Sequence, residues 1–210
     1  GPSGSGKSTL IKLLATLNKS SPKTLTLKQS CMTTLNIDSV RSHIAYVSQS
    51  PFLFSSSIAE NVSFEPFSHA ILPYTEQACI EHDIQRFPEK HDTLVGEKGV
   101  VLSGGQRSRL AFARALYKNS ELLILDDVLA AVDHDTEESM LQSIHSTQNK
   151  QKRTRIIVSH RVSALTSCDI IYVMNKGEIT DHGKHEDLIS KDGFYKHVWA
   201  YQKMMEKLLD

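Results

Sequence analysis

What this 210-residue sequence lacks narrows it first. No apolar run approaches the ~18 residues of a spanning helix, and no signal-peptide pattern opens it. Cysteine is scarce: Cys31, Cys79 and Cys168 are odd in number, far apart and match no metal or redox spacing. Such a set argues for reduced thiols in a cytosolic setting. Excess charge of either sign is missing, with Lys+Arg and Asp+Glu both 24, so nucleic acid or an anionic membrane is not expected as the main partner. The ten histidines form no H-x-x-x-H pair. What is present, 40% hydrophobic and 23% charged residues, is ordinary for a soluble globular chain. The length suits one domain, with or without a subdomain, around a substantial core.

The chain opens on Gly1-Pro2-Ser3-Gly4-Ser5-Gly6-Lys7-Ser8-Thr9, which fits G-x-x-x-x-G-K-[ST]. Glycines let the backbone turn its N–H groups inward as a nest for phosphate oxygens. Lys7 is placed to reach β/γ-phosphates, and the Ser8 hydroxyl to ligate Mg²⁺. The apolar run Leu10–Ala15 predicts a helix whose N-terminus lies beneath those phosphates. A flexible Gly/Ser-rich start is the bland alternative. A phosphate loop follows a β-strand, and residue 1 is already the loop, so the supporting strand is expected upstream in a longer protein.

Further along, Asn18–Pro22 is a polar breaker and Thr24–Leu27 alternates like a short strand. His43–Gln49 is β-branched and aromatic and reads as a buried strand delivering Gln49 at its carboxyl end. Its amide oxygen could reach Mg²⁺ or an attacking water; an ordinary loop glutamine is the alternative. Residues 50–118 change character, and a mostly helical inserted subdomain is expected there. Tyr74–Phe87 shows helical periodicity. The aromatics of Ser50–Ser55 are either subdomain core or a docking surface.

Ser103-Gly104-Gly105-Gln106 precedes a helical pattern, with Ser103 as N-cap and two glycines that permit close approach of an anion. This is a second phosphate-binding device. Glu121–Asp127 is the clearest strand, apolar on both faces and therefore central and parallel. Its end supplies Asp126 for Mg²⁺ and Asp127 facing the γ-phosphate. Arg155–His160 is another such strand, ending in His160 as a γ-phosphate sensor. Three strands ending in ligand-type groups favour one shared site. Ile170–Met174 and Gly177–Thr180 predict a closing hairpin, and Phe194–Leu209 a last helix.

Taken together these residues resemble the nucleotide-binding domain of an ATP-binding cassette (ABC) transporter over essentially the whole chain. Residues 1–9 match Walker A, Gln49 the Q-loop, Leu102–Gln106 the LSGGQ signature, Leu122–Asp127 Walker B, Ala130–Asp133 the D-loop and His160 the H-loop. Thr93–Gly99 is similar to an exporter-type X-loop, with Leu94 where an acidic residue is usual. The resemblance implies an α/β P-loop NTPase core, with a mainly parallel sheet flanked by helices, an inserted helical subdomain, and N-terminal strands missing. It also implies ATP and Mg²⁺ as ligands, held between the Walker A of one domain and the Ser103–Gln106 signature of a second, with Asp133 in the D-loop. Coupling helices of a transmembrane domain are the other implied partner, and the cytoplasmic face of a membrane the implied location.

The departures from that pattern lie at the end of Walker B. Asp127 stands where the family has glutamate, and Val128 where proline is usual. Aspartate is one methylene shorter, and positioning errors of ~1 Å can cost two orders of magnitude in rate. The substitution resembles the degenerate subunit of heterodimeric exporters. A homodimer in which Asp127 is a competent base is the other reading of these residues, and a soluble cassette ATPase of DNA repair or translation is the alternative class.

Overall fold

The computed structural model describes residues 1–18, 26–27, 30–31, 35–66, 70–96, 100–145 and 153–208. Its centre is a parallel sheet in the order β3 (Ile44–Val47), β4 (Leu122–Asp126), β5 (Thr154–Val158). Because strand side chains alternate, each apolar strand serves two cores. Ala45, Val47, Leu123, Leu125 and Ile157 face one cluster, whereas Ile44, Tyr46, Ile124, Ile156 and Val158 face another built on α1 (Lys7–Leu14). The expected central position of the Walker B strand is what the register shows, with Leu125 opposite both Val47 and Ile157.

An antiparallel pair, β1 (Thr26–Leu27) with β2 (Ser30–Cys31), follows α1. The alternating stretch at 24–27 thus survives as Thr26–Leu27; Thr24 and Leu25 lie outside the described residues. A short α2 (Ile37–Ser42), capped by the Asn36 side chain, leads into β3.

The first core cluster continues into α3 (Ile58–Ser63), α4 (Leu72–Gln77), α5 (Glu81–Ile84) and α6 (Gly104–Tyr117). Phe112 and Leu110 on α6 are fully buried between these helices and the sheet. The stretch with helical periodicity, Tyr74–Phe87, holds two helices, α4 and α5. Cys79 takes a left-handed backbone (φ 55°), its N–H bonds the Glu76 carbonyl, and the Ile80 N–H returns to the Thr75 carbonyl at 3.0 Å. That is a Schellman stop, hidden from the sequence because cysteine rather than glycine occupies the left-handed position. Burial pushes the pKa of the Cys79 thiol up, against the opposing pull of Arg109.

After β4, α7 (His134–His145) is capped by Asp133, which accepts from the Thr136 N–H at 2.9 Å. The predicted hairpin is present as β6 (Ile171–Asn175) and β7 (Glu178–Gly183). Lys176 and Gly177 at its tip both have positive φ, as a two-residue hairpin turn requires. Short α8 (His185–Ser190) and α9 (Phe194–Glu206) pack on the hairpin through a small separate cluster of Val162, Ile171, Val173, Leu188 and Tyr195. The last helix ends at Glu206, with Leu209 outside the described residues. Among the described residues no helix is long and apolar enough to cross a membrane.

Candidate nucleotide site

The opening loop wraps around the start of α1. Gly4 and Gly6 take φ of 75° and 98°, and Ser5 between them is buried. The loop is braced from behind by the hairpin tip, where the Gly177 N–H donates to the Ser5 carbonyl at 3.0 Å. A Cβ at Gly1 would sit 1.8 Å from the Met174 carbonyl oxygen, so that close approach requires glycine. The Lys7 ammonium donates to the Gly1 and Pro2 carbonyls, both at 2.8 Å, and thereby spans the loop. Burial pushes the Lys7 pKa down, while the nearby carboxylates of Asp127 and Asp126 oppose the shift. Ser3, Gly4 and Thr9 are exposed along the loop and first helical turn.

Ser8 looks across to the end of β4. Its hydroxyl donates to Asp126 Oδ1 at 3.1 Å, and Tyr46 from β3 donates to Oδ2 at 3.2 Å. Burial first, and Asp126 second, push the Tyr46 pKa up to about 12, which keeps that phenol a donor. Sequence reasoning missed Tyr46. Its signal was available in the strand alternation, which sets it on the same face as Ile44, beneath α1. A hydroxyl and one carboxylate, both oxygen donors, suit Mg²⁺, which commonly takes one or two carboxylates and completes its shell with water and phosphate. No group of three or more His, Cys, Asp or Glu among the described residues could hold a metal alone.

Asp127 follows in a left-handed conformation (φ 54°) that aspartate tolerates better than most residues. The Gln49 amide donates to its Oδ2 at 3.4 Å and the His160 backbone N–H to its Oδ1 at 3.3 Å. Gln49 and His160 therefore meet at Asp127 from the flanking strands. It is the His160 main chain that bonds the carboxylate, while the residue itself is exposed. The contact of Gln49 is through its amide nitrogen.

Ser103 caps α6 with Gln106 in a reciprocal box: the Gln106 N–H donates to Ser103 Oγ and the Ser103 N–H to Gln106 Oε1. The other end of the Gln106 amide donates to Asp83 at 2.9 Å, and Arg109 pairs with the second Asp83 oxygen at 2.7 Å. The two glycines differ. A Cβ at Gly105 would lie 2.7 Å from the Ala131 carbonyl, so close packing against the loop before Asp133 explains it, whereas Gly104 faces open space.

Beside these elements lies an open groove of about 620 Å³ lined by Val47, Pro51, Phe52, Phe54, Phe64 and Arg114. Arg114 stacks over Phe64 at 5.1 Å and donates to the main chain of Phe52 and Asn61. Phe52 and Phe64 remain 70% and 61% exposed, which resolves the aromatic stretch as surface rather than core. The loop at Thr93–Gly99 is described only to Gly96; residues 97–99 lie outside the described part.

A sequence profile of the ABC transporter family matches residues 1–130. "Multidrug resistance-like ATP-binding protein MdlA" of Escherichia coli (strain K12) is 43% identical over the whole of this chain, which spans 36% of that protein. An "ATP-dependent lipid A-core flippase" of Nitrosococcus oceani is 36% identical over 96% of the chain and 34% of its own length. Among solved structures, that of a bacterial Atm1-family ABC exporter with ATP bound superposes with a TM-score of 0.88 at 33% identity, over 97% of this chain and 36% of that one. The chain thus spans about a third of the length of the relatives it matches.

Proposed function

The chain belongs to the ABC transporter family of ATP-hydrolysing proteins, and on that premise we propose that it is the nucleotide-binding domain of an exporter, one of two domains that clasp ATP and Mg²⁺ between them. We propose further that its own phosphate loop holds ATP longer than it cleaves it. The observation that carries this reading is Asp127, whose two oxygens are engaged by Gln49 and the His160 N–H at the ends of the flanking strands.

Gly1–Thr9 would cradle the phosphates and Lys7 would exchange its carbonyl partners for phosphate oxygens. Ser8 and Asp126, with the Gln49 amide as a further oxygen donor, would hold Mg²⁺. That ion would screen the charge on the transferring phosphoryl group. Asp127 would orient the attacking water, but its carboxylate is one methylene shorter than glutamate and is already engaged by two donors of its own chain. A nucleophile held ~1 Å from its best position reacts up to two orders of magnitude more slowly. Ser103–Gln106 would serve the nucleotide of a second cassette, with Asp133 at the boundary between the two. Exposed Gly104 supports that use, since a phosphate can approach the start of a 14-residue helix there. The Phe52–Phe64 groove would receive coupling helices of a transmembrane domain on the cytoplasmic face. The similarity to a solved Atm1-family ABC exporter supports this assignment.

ATP turnover by the assembled full-length protein tests the division of labour. Asp127→Asn is expected to leave most turnover intact, because the faster site lies elsewhere. Gly104→Glu, which adds a carboxylate in open space where the partner's phosphate would sit, is expected to abolish it. Loss of nearly all turnover in Asp127→Asn would show instead that Asp127 is the principal base.

A further inference from the structure

The loop after β5 is held by side chains at nearly every peptide unit. The His160 N–H donates to Asp127, and the Arg161 N–H donates to Ser159 Oγ at 2.9 Å. On the far side of His160 the partner comes from the last helix. Gln202 of α9 donates from Nε2 to the His160 carbonyl and accepts at Oε1 from the Val162 N–H, both at 2.8 Å. A carboxamide carries a donor and an acceptor on separate atoms at one side-chain end, which suits a C=O and an N–H two residues apart. The intervening Arg161 points the other way, pairing with buried Glu137 of α7 and donating to the Val132 carbonyl at 3.1 Å. Ser163 donates to the same Glu137 at 3.2 Å.

Gln202 occupies a position that the helix would otherwise fill with an apolar side chain. Tyr195 and Val198 lie seven and four residues before it, and both belong to the cluster that seats α9 on Val162 and Ile171. The polar residue on that stripe falls where the helix meets the His160 loop rather than the hairpin.

We propose that Gln202 is a positioning residue for ATP hydrolysis: it fixes the main chain on the carboxyl side of His160 and so sets where the exposed imidazole stands. This makes the last helix a support of the catalytic loop, and it rests on the reading of His160 as the γ-phosphate sensor.

The test uses the full-length assembled protein and single-turnover cleavage of ATP bound at the Lys7 loop, with thermal unfolding measured on the same samples. Gln202→Ala is expected to lower that cleavage rate on the order of tenfold, as a displaced loop should, with affinity for ATP at the loop within about twofold because the phosphate cradle is untouched. Gln202→Glu is expected to be as poor, since its carboxylate keeps the acceptor for Val162 but sets an oxygen against the His160 carbonyl. Val198→Ala, which thins the packing of the same helix, is expected to lower the unfolding temperature while the cleavage rate stays. An unchanged cleavage rate in Gln202→Ala, or a loss matched by Val198→Ala, overturns the proposal. His160→Ala separates the two layers. If it abolishes cleavage at this loop while Gln202→Ala does not slow it, Gln202 alone is misassigned; if it leaves that cleavage intact, the reading of His160 fails first.

Discussion

Ser8 and Asp126, 118 residues apart in the chain, meet at 3.1 Å across the start of α1 and the end of β4. A hydroxyl from the phosphate loop and a buried carboxylate from the central strand are thereby held together, with Tyr46 holding the carboxylate's other oxygen. The consequence is a pair of oxygen donors beside the glycine-rich loop of Gly4 and Gly6.

Replacing Ser8 by alanine removes one donor and leaves the fold in place. Affinity for ATP with Mg²⁺ should fall on the order of tenfold, about 1.4 kcal/mol, whereas affinity for ATP in the presence of a chelator should barely change. Calorimetry under both conditions checks the difference, and an equal loss in each would remove the hydroxyl from the metal site.

The aromatic groove depends on a buried asparagine. Asn61, fully buried on α3, accepts from the Phe54 N–H at 2.9 Å, donates to the Phe54 carbonyl at 3.0 Å and accepts from Arg114 at 2.9 Å. Asn61→Ala would strand these groups, at a cost of about 1–3 kcal/mol. Thermal unfolding of the intact protein should show it, and an unchanged unfolding temperature would mean that water replaces the amide.

Acid should weaken the seat of the second phosphate device. Burial works against the charge of Asp83, but hydrogen bonds from Gln106 and Arg109 outweigh it and hold its pKa below the usual value. A carboxyl group depressed in the fold stabilises fully above its unfolded pKa of about 4, and that contribution is lost as pH falls through the folded value. Glu81, half-buried and hydrogen-bonded by Thr75, Gln85 and His91, shifts in the same direction. Asp83→Asn should therefore be less stable than the unsubstituted protein at neutral pH and approach it in acid. Denaturant midpoints across that range check the sign; a gap independent of pH would contradict it.

Local patterns foretold the parts of the site that short segments encode. The glycine-rich loop, the strand ending at Asp126 and the Ser103 cap each announce themselves within a few residues. Other parts are relations between distant segments. Nothing near Gln202 indicates that it will reach His160, 42 residues away, because that contact exists only once α9 is seated on the hairpin. The break at Cys79 escaped for a different reason: its signal is ordinarily glycine, and here burial of Ile80 and the Thr75 carbonyl bond hold the turn instead. Asp127 was legible as a departure, but the two donors on its carboxylate come from the segments that follow β3 and β5.

The account turns on the reach of that carboxylate, and the most direct measurement is the ATPase rate of Asp127→Glu in the assembled full-length protein. The added methylene should raise hydrolysis at this site by about one to two orders of magnitude, although glutamate is less at ease than aspartate in the left-handed backbone. Single-turnover cleavage of ATP bound at the Lys7 loop reads this rate. A gain there is the predicted result; an unchanged or lower rate, with ATP binding intact, would contradict the claim that Asp127 is too short.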